Sequence, residues 1–526
     1  MAISRLQKRQ RPFPVPIFPV AAVLLLLAAS SGRAQTSPNV SLDHPSYRFL
    51  EHLDTLGLVD SRIAGIRPYT RLETARLLVE AEDVMTVRKE RGSSLIRAWC
   101  ELIHREFRAE AGRLLETDSG EGSNYFKPAQ SVYARYVYFE GTETPEGDFG
   151  RVYNQGSQVF AGLTTHGTLF DLLAFHARPE ASLHFHNWTG EEKDRYAVKP
   201  LETYAKAAFW NVELEGGLDA LCWGQGSHDT LLLSNNAGNF PLLKMSNPMP
   251  VLLPWIFESL GPVRAQAFFT RLDRRRAVRE PFLAGFKINL KPFPFLEIGA
   301  GRTFIFGGKD RPEPNVWDIF RGTEDNPDPG EPDLSNQLAG FDARVRLPLP
   351  IGGVSYYVEA VGEDEAGGFP YKWSFLHGLH LAGILPRKNL WLRVEWARTH
   401  EAAYVHGTYN TGYTYRLGYP GHTLTNSALG HHAGNDADDL YLEIGWFPYP
   451  GSEVVLLGDW EERRQRHASV YEEHFQLGAS ASHRFPLLGG LLVSLEYRYR
   501  RVRNAGFVRG ETTRDSYVVF QVALQF

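Results

Sequence analysis

The last ten residues of the chain constrain its fold more tightly than any other stretch. Val518, Phe520, Val522, Leu524 and Phe526 alternate with Tyr517, Val519, Gln521, Ala523 and Gln525. This period of two places successive side chains on opposite faces of a strand. The same pattern recurs upstream. Val493, Leu495, Tyr497 and Tyr499 oppose Ser494, Glu496, Arg498 and Arg500, and Leu440, Leu442, Ile444 and Trp446 oppose Tyr441 and Glu443. Leu392, Val394 and Trp396 oppose Arg393 and Glu395, and Phe341, Ala343, Val345 and Leu347 oppose Asp342, Arg344 and Arg346. A soluble sandwich would produce alternation too, with its polar face in water. Here the polar face often carries both charge signs, as a hydrated lumen tolerates. The opposite face is apolar and free of charge, which suits lipid, where a charge near the midplane costs about 2–4 kcal/mol. Only a closed barrel satisfies every strand's backbone hydrogen bonds in hydrocarbon. The chain from Tyr125 onward is therefore expected to be an all-β transmembrane barrel. Roughly 400 residues at about 22 per strand and connection give about 18 antiparallel strands, with about 16 the nearest even alternative.

Composition agrees with this reading. The chain holds 11 Trp, 23 Tyr, 32 Phe and 49 Gly but only 4 Met, and its mean hydropathy is −0.29. An apolar lipid face, a polar lumen and aromatic girdles at both interfaces predict that mixture. Export is expected as well. Arg5, Lys8, Arg9 and Arg11 precede an apolar core from Val20 to Ala29, and Gly32-Arg33-Ala34 leads to cleavage before Gln35. That core is about half of what a spanning helix needs, and no Cys follows it. Loss of the five basic residues in 1–34 leaves 51 basic against 61 acidic residues, a net charge of −10, which argues against nucleic acid as a partner. Two cysteines, Cys100 and Cys222, rule out a disulfide framework and leave a single bridge as the open alternative.

Between the signal and the barrel the period is helical. Leu50, Leu53 and Leu56 share a face, and Gly57 is placed to close that helix. Thr70 and Glu73 form a capping-box pattern ahead of Leu72, Ala75, Leu78 and Val79. A third segment, Ser94 to Leu115, aligns Leu95, Trp99, Leu102 and Ile103. The expected organisation is a signal peptide at 1–34, a small periplasmic helical bundle at 35–120 and the barrel at 121–526.

Turn-rich segments mark the connections. Gly307 to Pro332 and His400 to Asp439 read as long extracellular loops, whereas Pro292-Phe293-Pro294 and Pro448-Tyr449-Pro450-Gly451 read as short periplasmic turns. Saccharide C–H faces stack on aromatic rings, and sugar hydroxyls pair with polar side chains. The long loops offer Trp317, Tyr404, Tyr409, Tyr413, Tyr415 and Tyr419 for stacking, with Asp318, Arg321, Asn410 and Asn435 near them. Each of these aromatics has a structural alternative in the outer girdle or in loop packing.

A set of motifs runs through the chain in order. It begins with Trp223-Gly224-Gln225-Gly226, then Leu231-Leu232-Leu233-Ser234-Asn235-Asn236 and Phe240-Pro241. Phe286 to Pro294, Leu296-Glu297-Ile298-Gly299 and Ala339-Gly340-Phe341-Asp342 follow. Glu359 with Gly362-Glu363-Asp364-Glu365, Arg393-Val394-Glu395-Trp396-Ala397-Arg398-Thr399 and Gly412-Tyr413-Thr414-Tyr415 complete it. No single tetrapeptide is specific, but the ordered set resembles the Wzi family of outer-membrane capsule assembly proteins across nearly all of the mature chain. The resemblance implies an 18-stranded barrel with helices at its periplasmic mouth, and a lectin-like role in holding capsular or exopolysaccharide at the cell surface. One departure is the segment between Tyr415 and Asp438, longer than the family pattern, which leaves the glycan open. In physical terms Gly224 and Gly226 suit a tight turn or a close backbone approach. Trp223 suits an interface anchor, and Ser234, Asn235 and Asn236 suit the satisfaction of backbone in an inward loop.

Enzymatic readings find little support. Glu363-Asp364-Glu365 are adjacent, whereas glycoside hydrolysis needs two carboxyls set apart across a cleft. His184 with His186, and His431 beside His432, show no third metal ligand in sequence. No nucleophile elbow or zinc-protease signature occurs. The expectation is a non-enzymatic, monomeric protein without cofactor or metal, partnered by polysaccharide, outer-membrane lipid and the insertion machinery. A diffusion porin or polysaccharide channel is the alternative.

Overall fold

The structure is a computed structural model. It describes residues 35–88, 94–115, 124–141, 150–151, 153–185, 195–274, 276, 278–309, 335–349, 352–366, 369–384, 388–400, 404, 421–425, 427–465, 468–486 and 490–526. The proposed signal peptide lies outside them, as do Trp317, Asp318, Arg321, Tyr409, Tyr413, Tyr415 and Tyr419.

Among the described residues four α-helices come first: α1 (Ser46–Thr55), α2 (Arg71–Arg88), α3 (Ser94–His104) and α4 (Arg108–Leu114). Gly57 closes α1 at φ +74°, and Leu58 N–H reaches back to the Leu53 carbonyl at 2.9 Å. Thr70 caps α2 by accepting the Glu73 N–H at 3.0 Å. The Glu73 carboxylate turns instead to Arg76, at 2.7 and 2.8 Å, so half of the expected capping box is used differently. The segment 94–115 is broken by a 3-10 turn at Arg105–Phe107. Its buried stripe is Ile96, Trp99, Cys100 and Ile103, rotated from the expected one, with Leu95 and Leu102 half-buried. Trp99 sets this phase by stacking on Phe49 of α1, ring centroids 5.2 Å apart.

The barrel then closes. Its strands are β1 (Tyr125–Glu140), β2 (Gly156–Leu169), β3 (Leu173–His184), β4 (Arg195–Phe209), β5 (Val212–Asp219) and β6 (Phe240–Ser246, resumed at Val251–Leu252). There follow β7 (Pro262–Arg271), β8 (Phe282–Phe293), β9 (Leu296–Phe306), β10 (Ser335–Leu349), β11 (Gly352–Ala366) and β12 (Phe369–Ala382). The last six are β13 (Leu390–Arg398), β14 (Ala437–Trp446), β15 (Ser452–Arg463), β16 (Glu472–Phe485), β17 (Leu491–Arg503) and β18 (Thr512–Gln525). All are antiparallel neighbours in sequence order, and β18 pairs with β1 from Ser131↔Gln525 to Glu140↔Ser516. That closure leaves no sheet edge, as a spanning sheet requires. The barrel thus has the expected 18 strands.

The faces fall where alternation places them. Leu440, Leu442, Ile444 and Trp446 are exposed on the outer wall, while Tyr441 and Glu443 are buried inside. Asp342, Arg344, Arg346, Arg393 and Glu395 are likewise buried, in contrast to the hydrated polar lumen expected. The turns at Pro294 and at 447–451 lie beside the helices, where Arg346 donates to the carbonyls of both Pro294 and Asp54 and Phe447 packs edge-on against Phe49. Cys100 and Cys222 are both buried and free, so no bridge joins them.

Candidate functional site: an occupied lumen

Irregular backbone at membrane depth survives only where protein pairs its N–H and C=O groups. The connection from β5 to β6, residues 220–239, folds back into the lumen and meets that demand with side chains of the wall. Glu359 on β11 accepts the N–H groups of Gly226 (2.7 Å) and Leu231 (2.8 Å). Glu395 on β13 accepts those of Ser227 (2.8 Å) and His228 (3.1 Å). Glu297 on β9 takes Ala64 and Gly65, at 2.8 and 2.9 Å. The Gln225 amide donates to both Glu297 (2.9 Å) and Asp342 (2.7 Å), and Arg344 holds the Gln225 carbonyls. Lys287 pairs with Asp342, supplying the compensating charge.

The glycines have a steric cause. A Cβ at Gly226 would stand 1.8 Å from the Asp229 carbonyl oxygen, and one at Gly224, where φ is +149°, would stand 2.4 Å from the Glu359 carboxylate. Trp223 is not the interface anchor its sequence suggests. It is fully buried in the lumen, donates through Nε1 to Gln266 at 2.6 Å and packs edge-on against Phe268. Its strand fragment pairs with Ile66 and Arg67, tying the two ends of the plug together.

From the helical end, α1 docks against the lumen wall. Glu51 lies 3.1 Å from Arg344 and 2.5 Å from Arg393, and Asp54 lies 3.0 Å from Arg62 and 3.2 Å from Arg346. Burial opposes ionisation of Glu51, but Arg393 and Arg344 outweigh it and hold the carboxyl well below its ordinary range. The helices are therefore not a bundle standing apart from the barrel.

Ala428 and Gly430, in the connection between β13 and β14, lie against the inserted segment. Ser234 donates to the Gly430 carbonyl (2.7 Å) and Asn236 to that of Ala428 (3.0 Å). Tyr404, expected from sequence to be a stacking platform, is buried here; its hydroxyl donates to the Leu231 carbonyl at 2.7 Å and accepts the His431 N–H at 3.0 Å. Glu363 is buried on β11. Asp364 lies on the same strand, and Asn235 lines a remaining cavity of about 360 Å³.

That cavity is polar, walled by Arg393, Arg498 and Arg500 with Glu443, Asp459 and Glu461. On one side stand His228, His432 and Asp229, with His431 beside His432. Asp229 accepts both the N–H and the Nδ1 of His432, at 2.7 and 3.0 Å. Burial alone would raise the Asp229 carboxyl, but the His432 bond and the neighbouring imidazoles bring it down to about 2. Burial pushes His431 down to about 3. The ring of His228 stacks on Tyr441 at 3.7 Å. The His431-His432 pair stands out in the sequence. Nothing there points to His228, Asp229 or Asp459, which come from other segments.

These features define a class: a transmembrane β-barrel of the outer-membrane type whose lumen is occupied by its own chain from both ends. More particularly, the chain belongs to the capsule assembly protein Wzi family, whose model matches residues 129–516. An uncharacterised 55.8 kDa protein in the cps region of Klebsiella pneumoniae is 32% identical over 182 residues, 34% of this chain and 35% of that one. The alignment thus spans about a third of that relative. The solved structure of Wzi from Escherichia coli, described as an outer-membrane protein involved in group 1 capsule assembly and a carbohydrate-binding β-barrel, superposes with a TM-score of 0.69. It is 17% identical, covering 93% of this chain and 100% of that one, a likeness of fold.

Proposed function

We propose that this chain is a non-enzymatic, lectin-like outer-membrane protein that attaches capsular or exopolysaccharide to the cell surface. It reaches the membrane with its N-terminal signal removed, inserts as a monomer through its C-terminal strand, and holds its helical end in the periplasm. Membership of the Wzi family supports the capsule role, and the carbohydrate binding described for the Escherichia coli barrel supports the ligand class. The observation that carries the reading is the occupied lumen. Four wall carboxylates are engaged by the inserted segments, an arrangement that suits a closed scaffold presenting its outer loops better than a diffusion pore.

The test is a pull-down of the producing cell's own polysaccharide by purified protein, with Trp317→Ala and Tyr413→Ala beside wild type. Retention by wild type and reduced retention by the variants is expected. Deletion of the gene should leave polymer synthesis intact and shed the polymer into the medium. Loss of synthesis, or release of cleaved product from purified polymer, would overturn the proposal.

A further inference from the structure

We propose that the cavity wall holds a divalent cation of the zinc class, bound by the imidazoles of His228 and His432 and the carboxylate of Asp459. The ligating atoms of these three residues all lie within 4.8 Å of one another. His228 Nε2 stands 3.7 Å from Asp459 Oδ2, and His432 Nε2 stands 3.6 Å from Glu461 Oε1 and 3.7 Å from Asp439 Oδ2. These separations are too long for hydrogen bonds. They are close to the spacing of roughly 3.4 Å between neighbouring ligands on a tetrahedral zinc ion with bonds of about 2.1 Å.

Charge points the same way. Asp229 accepts from His432 Nδ1 at 3.0 Å, which turns Nε2 toward the Glu461 and Asp439 carboxylates. A cation at this point would also answer the carboxylates of Asp459, Glu461 and Asp439, which lie together in the buried wall. Asp439 and Asp459 are both more than nine-tenths buried, and each holds one oxygen that meets no donor among the described residues. Arg463 stands 2.6 Å from Glu461 and answers one of these charges. The Asp229–His432 bond is the arrangement by which an outer carboxylate fixes the tautomer and direction of a metal-binding imidazole. Two nitrogens with carboxylate oxygen suit zinc, cobalt or nickel rather than magnesium or calcium, which take oxygen ligands.

The three ligands come from the inserted segment, the β13–β14 loop and the β15 wall. A bound ion would brace the plug to the barrel and keep a coordination position open to the cavity. Full-length protein stripped with a chelator and titrated with Zn²⁺ alone should bind about one equivalent per chain. Its thermal unfolding midpoint should rise with Zn²⁺ and not with Mg²⁺. Co²⁺ should give the visible absorption bands of a tetrahedral imidazole site on wild type, a readout that needs no variant to fold. Asp459→Asn and His228→Gln should each lower Zn²⁺ affinity by tenfold or more, while His184→Gln, outside the cluster, should not. Absence of Zn²⁺ binding together with absence of the Co²⁺ bands overturns the proposal. So does binding that both cluster variants leave unchanged.

Discussion

Glu359, like Glu395, gathers main-chain donors of the plug, taking one N–H on each carboxylate oxygen. Glu359→Ala would leave both donors buried without a partner, at about 1–3 kcal/mol each. Loss of roughly 2–6 kcal/mol of stability is expected, read as a lower temperature at which the folded band disappears on semi-native gels. Glu359→Gln keeps a carbonyl acceptor and should fall between the two. Gly226→Ala should be comparably severe, because backbone rather than a flexible side chain blocks the new methyl. Both residues stood in the ordered motifs. That they touch, across 133 residues of chain, was not legible, since spacing in sequence carries no register between a strand and a loop that folds back from another hairpin.

At the scale of elements, α1 is an amphipathic helix whose polar residues are held by partners as fully as its apolar ones. Glu51 answers two lumen arginines. Glu51→Ala leaves Arg344 and Arg393 buried with less opposing charge, a change that costs about 3–5 kcal/mol in such settings. Unfolding of the purified barrel in denaturant measures it, and a loss below ~1 kcal/mol would mean that water replaces the carboxylate. His52, one residue on, adds a pH dependence. Burial lowers it from 6.5 to about 4, although the bond to the Lys388 carbonyl opposes that fall. Below pH 6.5 the unfolded chain takes up a proton that the folded chain refuses until about pH 4. The contribution is therefore complete above about pH 6.5 and is lost as pH falls toward about 4, by about 3 kcal/mol. A His52→Gln variant should show a flatter stability profile across that window. The helices' existence was readable from period and caps. The phase of α3 was not, because it follows the ring contacts of Trp99 with Phe49 and Phe447.

For the whole molecule, the occupied lumen predicts conductance. Wild-type protein in planar bilayers should show no large stable channel. Replacement of residues 224–236 by a short Gly-Ser linker should open one, since it removes the segment that Glu359 and Glu395 hold. Stable large channels from the wild type would sink this account of the lumen. The sequence by itself determined the barrel, its even strand number and which side chains face lipid. Period-two alternation is a local property of each strand, and closure in lipid follows from it by necessity. Only the tertiary structure decided what fills the barrel. The polar inner face reads the same whether it meets water or a buried plug. Choosing between them takes carboxylates on β9, β10, β11 and β13 meeting N–H groups from distant segments, and no local pattern records that meeting.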